Sequence, residues 1–131
     1  RQMCIRDSSD VEVFKNAFLH IEGNGATNIN ATIICGEHIH LCDRVMLGRD
    51  ITIRDNNGNH YIAMRGYKDT RPVFIGQHAW LCEGAIIMPG VKIGDGAIIG
   101  AKSFVTQNVS AYSMVSGNPA QVIEEDVYWK Y

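Results

Sequence analysis

Aliphatic residues recur at intervals of six along most of this chain. From Ile29 the series runs through Cys35, Leu41, Leu47 and Ile53, and four residues after each of the first four stand Ile33, Ile39, Val45 and Ile51. Backward, the same register continues more faintly through Gly23 and Ala17, with Thr27 and Ile21 as companions. A second run takes Ile75, Leu81, Ile87, Ile93, Ile99, Val105 and Ala111. Its companions Ala79, Ala85, Val91, Ala97, Ser103, Val109 and Val115 are mostly small. Gly48, Gly76, Gly94 and Gly100 each directly follow a first-position aliphatic. The unit, aliphatic–Gly–x–x–small–x, is repeated about thirteen times.

Neither a helix nor a straight strand explains this period. Six residues turn a helix by roughly 600°, so the aliphatics would spiral around it and build no face. A single strand would have to run for about 25 residues against a usual 5–6. Positions two after each aliphatic are mostly polar: Glu37, Asp43, Arg49, Gln77, Glu83, Asp95 and Gln107. Such residues suit corners. The period predicts a short strand and a turn every six residues, three strands making a triangular coil of ~18 residues, with coils stacked ~4.8 Å apart. Aliphatics point inward, and glycine and small residues permit the corners. A little over four such coils make an all-β parallel prism roughly 20 Å tall. Periodicity leaves its handedness open; right-handed crossovers are the general rule.

The two runs do not join in register. Ile53 and Ile75 are 22 residues apart, which is not a multiple of six. The intervening RDNNGNHYIAMRGYKDTRPVF must leave the prism as one extruded loop and rejoin it. A long loop in a regular solenoid is a place to look for function. This one carries His60, preceded by Asp55, Asn57 and Gly58.

Composition narrows the classes. A chain of 131 residues fits one domain, and its net charge of −2 is scattered. The absence of a Lys/Arg stripe argues against nucleic acid, and no apolar run approaches the ~20 residues of a membrane span. Cys4, Cys35, Cys42 and Cys82 show no CxxC spacing and fit reduced thiols in the cytoplasm, with Cys35 acting as a small inward hydrophobe. Residues 1–8, RQMCIRDS, fall outside the pattern and read as a translated adapter sequence. The expected domain is 9–131, with further N-terminal material in the natural protein.

At IRDNNGNHYI the sequence resembles the Asp-x-x-x-His loop of sugar and polysaccharide O-acetyltransferases of the hexapeptide-repeat family, although many relatives have a shorter Asp-to-His spacing. The stretch VFIGQHAWLCEGAIIMPGVKIGDGAIIGAKSFVTQNVSAYSMVSGNPAQVI resembles the family's C-terminal coils nearly residue for residue, and the tail EEDVYWKY is similar to the closing segment of capsule-type members. The likeness covers residues ~11–131 and implies a left-handed β-helix. It also implies a homotrimer with sites between subunits, acetyl-CoA as co-substrate, a sugar or glycan acceptor and no metal.

The resemblance makes His60 the general base that takes the acceptor hydroxyl's proton. Imidazole, titrating near ~6.5 when unperturbed, suits that task. A carboxylate or amide beside the ring would fix its tautomer, with Asp55 first choice and Asn57 second. Asn28 matches a family asparagine near the acceptor. Positions matching the family's CoA groove are Trp80, Glu83, Ala101, Lys102, Thr106, Gln107 and Gln121. Gln107 and Gln121 stand where relatives often place Lys or Arg on the CoA phosphates, Lys102 replaces a usual Gly, and Glu83 a small residue. His20, His38, His40 and His78 lie within the repeat and read as surface or corner residues.

Three alternatives stay open. One is a non-catalytic or degraded β-helix module; another is an acetyltransferase for an antibiotic or amino-sugar acceptor. The third is a γ-type carbonic anhydrase, which shares the coil but needs zinc and a His-x4-His pair. No two of the five histidines here have that spacing.

Overall fold

A computed structural model describes residues 9–27, 30–58 and 60–130. It is all-β. The first coil comprises β1 (Asp10–Val13), β2 (Phe18–Ile21) and β3 (Ala26–Thr27), and the second β4 (Thr32–Cys35), β5 (His38–Leu41) and β6 (Met46–Leu47). The third has β7 (Thr52–Arg54), β8 (Val73–Ile75) and β9 (Trp80–Leu81), and the fourth β10 (Ile86–Ile87), β11 (Lys92–Ile93) and β12 (Ile98–Ile99). The last has β13 (Phe104–Val105) and β14 (Met114–Gly117), after which β15 (Ala120–Glu124) folds back antiparallel on β14. Three parallel sheets form the walls, in the orders β1-β4-β7-β10-β13, β2-β5-β8-β11 and β3-β6-β9-β12-β14. The coils wind as a left-handed β-helix.

Inward aliphatics stack in ladders because each strand pairs in register with the strand one coil away. Ile33 lies over Ile53, Ile53 over Ile87 and Ile87 over Val105. Leu47, Leu81 and Ile99 do the same on another wall. These side chains are almost wholly buried, and with Ile39, Leu41, Ile75 and Ile93 they form one core along the prism axis. Truncating one would cost about 2–5 kcal/mol.

The expected coil length holds only in part. From β8 onward partners are 18 residues apart, as in Phe74 with Lys92 and Ile86 with Phe104. In the first two coils the offset is 20 for Phe18 with His38 and Thr32 with Thr52, and 22 for Asp10 with Thr32. The cause is the first wall of the second coil, where Ala31, Ile33 and Cys35 all point inward, adding one strand-period pair. Five rungs therefore stand on that wall, and the backward extension of the six-step is corrected: Gly23 lies in a turn, while Ala17 packs against the core. Ile29 lies outside the described residues. The last coil is short, with Ile98 pairing Met114 and Val109 bridging Ile93, so Ala111 sits exposed in a turn instead of pointing inward.

Corners take left-handed backbone. Arg44, Asp50, His78, Lys102 and Tyr112 have φ of 56–60°, and Gly84 and Gly96 occupy equivalent positive-φ positions. Lys102 thus stands where glycine carries no steric penalty. Gly94 is required for a different reason: a Cβ there would lie 2.4 Å from the Ala111 backbone nitrogen of the next rung.

Candidate active site

The extruded loop begins at the end of β7 and returns at β8. Its neck is closed by an antiparallel bridge between Asn56 and Thr70 and by the Arg71 N–H donating to the Asp55 carbonyl at 2.8 Å. Below the neck, the buried Asp55 carboxylate accepts three successive backbone N–H groups of the preceding rung, from Gly36 at 2.6 Å, Glu37 at 2.8 Å and His38 at 2.7 Å. The Asn56 amide donates to it at 3.0 Å. Such a run of N–H groups is a built anion cradle. The Asn56 side chain also donates to the Ile34 carbonyl at 3.1 Å and accepts from Gly58 N–H at 2.9 Å, turning the chain toward His60.

Asp55 therefore does not partner His60. The expectation that it orients the imidazole is corrected, because its oxygens are committed to the rung below. It is a positioning residue that fixes where the loop departs. The ring instead places Nδ1 3.1 Å from the Asn57 carbonyl oxygen. A carbonyl can only accept, so Nδ1 is the donor, and in the neutral ring this tautomer places the lone pair on Nε2. Asn57 meets the ring through its backbone carbonyl and not through its side-chain amide. Its side-chain amide donates to the Tyr67 hydroxyl at 2.8 Å, and that hydroxyl donates to the His60 carbonyl at 2.8 Å. His60 is exposed, and the neighbouring Tyr61, Ile62 and Met64 leave half or more of their surface open.

Beside this loop is a surface cleft of about 620 Å³, lined in part by Asn57, Tyr67, Lys68, Arg71, Met88 and Thr106. Sequence reasoning missed Asn56, Tyr67 and Arg71. The Asn-Asn-Gly run was a turn signal that could have pointed to Asn56; nothing marked the other two.

The remaining expected residues divide between edges of the prism. Thr106 joins Asn57 at the cleft, whereas Gln107 and Gln121 line a separate hollow of about 250 Å³ at the C-terminal end. Glu83, Ala101 and Lys102 are exposed on another corner, where the Lys102 N–H donates to the Glu83 carbonyl at 2.8 Å. Trp80 sits 5.5 Å from the tail's Trp129, which stacks on His78 at 4.1 Å. Asn28 lies outside the described residues. Burial raises the thiols of Cys35 (the Asp55 charge adding to it) and Cys82, and pushes Cys42 up to about 11 with the help of Glu22 and Asp95. All three are free thiols away from the thiolate form.

The wound core and single loop define a hexapeptide-repeat β-helix protein. The family model described as bacterial transferase hexapeptide (six repeats) matches residues 72–107 of this chain. It is 31% identical over 109 residues to the galactoside O-acetyltransferase of Escherichia coli K12, covering 82% of this chain and 54% of the relative. It is 44% identical over 63 residues to a chloramphenicol acetyltransferase of Agrobacterium fabrum, covering 48% of this chain and 30% of that one. Its fold matches a hexapeptide-repeat acetyltransferase of Vibrio cholerae complexed with acetyl coenzyme A, with a TM-score of 0.81 at 22% identity over 95% of this chain and 68% of that chain. The chain thus spans about half or less of the length of these curated relatives. Among the described residues no helix is long and apolar enough to cross a membrane.

Proposed function

We propose that this chain is the β-helix part of an acetyl-CoA-dependent O-acetyltransferase that acts on a sugar or glycan hydroxyl in the cytoplasm, with His60 as general base. The observation that carries the reading is the Nδ1 contact with the Asn57 carbonyl, which in the neutral ring puts the lone pair on Nε2, on the loop that borders the cleft. In the step, Nε2 takes the acceptor hydroxyl proton while its oxygen attacks the thioester carbonyl carbon. The tetrahedral oxyanion is stabilised by N–H donors. It collapses, the C–S bond breaks, and the CoA thiolate takes the proton back from the imidazolium. No acyl-enzyme and no metal enters this step, and the elevated cysteine thiols fit that economy.

The CoA-matching positions lie on separate edges, so one chain does not gather them. A threefold trimer would bring one copy's Thr106 edge toward its neighbour's Lys102 edge and cover the exposed Tyr61, Ile62 and Met64. Lys68 and Arg71 at the cleft are the cations available to anionic groups of CoA or of an acidic glycan.

The test is thiol release from acetyl-CoA against galactosides, maltose, sialic acid polymers and chloramphenicol. Turnover is expected with a sugar acceptor. Acetylation of chloramphenicol alone would move the acceptor to the antibiotic class that the Agrobacterium relative's name suggests, and no turnover with any acceptor would favour a non-catalytic module. His60→Ala should lower kcat by ~10²–10⁴ with the sedimenting trimer intact. Full activity in that variant, or a fully active monomer, would refute the corresponding part of the reading.

A further inference from the structure

The outward face of the second wall carries a cluster that the transfer chemistry does not use. β2 and β5 pair in register, with His20 beside His40 and Ile21 beside Leu41. Leu41 is buried and Ile21 packs against the core. Alternation along each strand therefore sends residues 20, 22, 40 and 42 to the outside. The ladder continues past both strands, since the Glu22 N–H donates to the Leu41 carbonyl and the Cys42 N–H to the Ile75 carbonyl. His-x-Glu on one rung thus lies beside His-x-Cys on the next. The ligating atoms of His20, Glu22 and His40 are all within 4.8 Å of one another. His40 Nε2 is 2.5 Å from a Glu22 carboxylate oxygen, and the two imidazoles stack with centroids 4.3 Å apart. Cys42, two residues beyond His40, shares this outward face.

We propose that His20, Glu22 and His40, completed by Cys42, bind one transition-metal dication, zinc by preference, as a clip between the first and second coils. The donor set decides the metal class. Two imidazoles, one carboxylate and one thiolate make a tetrahedral zinc-type site, whereas magnesium and calcium select oxygen donors. Zinc requires ligand distances of ~2.0–2.3 Å, so the three atoms now within 4.8 Å of one another would converge on the ion. The position gives the clip a task. All four residues of β1 are exposed, and β2 is at best half-buried, so the first coil is the least anchored part of the prism. Metal bound on one rung and the next would hold it to the second coil.

The experiment uses the full chain after chelator treatment, titrated with zinc chloride by calorimetry and with cobalt(II) by absorbance. One metal per chain is expected, with the visible bands of tetrahedral cobalt and a near-ultraviolet thiolate-to-metal band. Zinc should raise the thermal midpoint. His20→Ala and His40→Ala should each weaken zinc binding by at least about 100-fold and abolish the thermal shift. His38→Ala, on the same wall, should change neither. Cys42→Ser should retain cobalt but lose the thiolate band. All these side chains face outward, so metal-free urea midpoints should match the parent and show that each variant is folded. No zinc uptake by the parent protein, or uptake that survives removal of both His20 and His40, would overturn the site. An unchanged spectrum in Cys42→Ser would remove the fourth ligand. None of these readouts depends on acetyl transfer, so failure here leaves the His60 reading standing, and failure there leaves this one.

Discussion

Asp55→Asn separates two roles that the sequence alone confuses. In the folded chain Oδ1 accepts from Gly36 N–H and the Asn56 amide, and Oδ2 from Glu37 and His38 N–H. Asparagine keeps the shape and half the acceptors. Whichever way the new amide is turned, one oxygen satisfies two donors, and its NH₂ faces the other two. Leaving two donors buried and unpaired costs about 1–3 kcal/mol each, so the loss is about 2–6 kcal/mol. That is a large share of the ~5–15 kcal/mol by which domains are usually stable. Equilibrium urea unfolding followed by circular dichroism should show the midpoint falling by about 1–3 M, given a slope of about 2 kcal/mol/M. Turnover below the new midpoint should decline less than in His60→Ala, because the ring keeps its Asn57 contact. The opposite outcome, an unchanged midpoint with turnover reduced by orders of magnitude, would show that Asp55 acts on the imidazole, and the present assignment would be wrong.

Other perturbations follow from the same geometry. Tyr67→Phe removes the hydroxyl that links the Asn57 amide to the His60 carbonyl; it should lower kcat about tenfold, equivalent to roughly one hydrogen bond, with an unchanged urea midpoint. Gly94→Ala places a methyl group 2.4 Å from the Ala111 backbone nitrogen, an obstruction that cannot swing away; a loss of about 3 kcal/mol or more is expected by calorimetry. Burial, and secondarily the Arg44 charge, lowers the His78 imidazole below its usual value. The unfolded chain then binds the proton more readily than the folded one. Stability from this source is full above the ordinary ~6.5 and declines as pH falls through that value toward the lower folded pKa. His78→Asn, which tolerates the same left-handed backbone, should flatten the thermal midpoint's dependence on pH across that window.

The period of six was legible because aliphatics must fill a narrow interior at every turn, whatever the corners do. The register was not, and the reason lies in Ala31, Ile33 and Cys35. A strand exposes alternate residues to one side, so a wall extended by two residues still presents an unbroken inward pattern. Counting by six from Cys35 or from Ile33 fits equally well, and only pairing tells that Ile33 stacks on Ile53. The same slip hid two chemical facts. Asp55 looked catalytic because it precedes a histidine in a loop, yet its partners are N–H groups 17–19 residues earlier that only the 20-residue coil brings beneath it. With an 18-residue coil, His20 would have stacked on His38 and Glu22 on His40, and no metal-ligand square would form. The observed offset sets His20 on His40 instead. The loop itself remained visible throughout, since 22 residues between Ile53 and Ile75 break any such count. A solenoid sequence therefore announces its interior and its interruptions, while the cross-rung neighbours that carry its chemistry depend on the exact length of each coil.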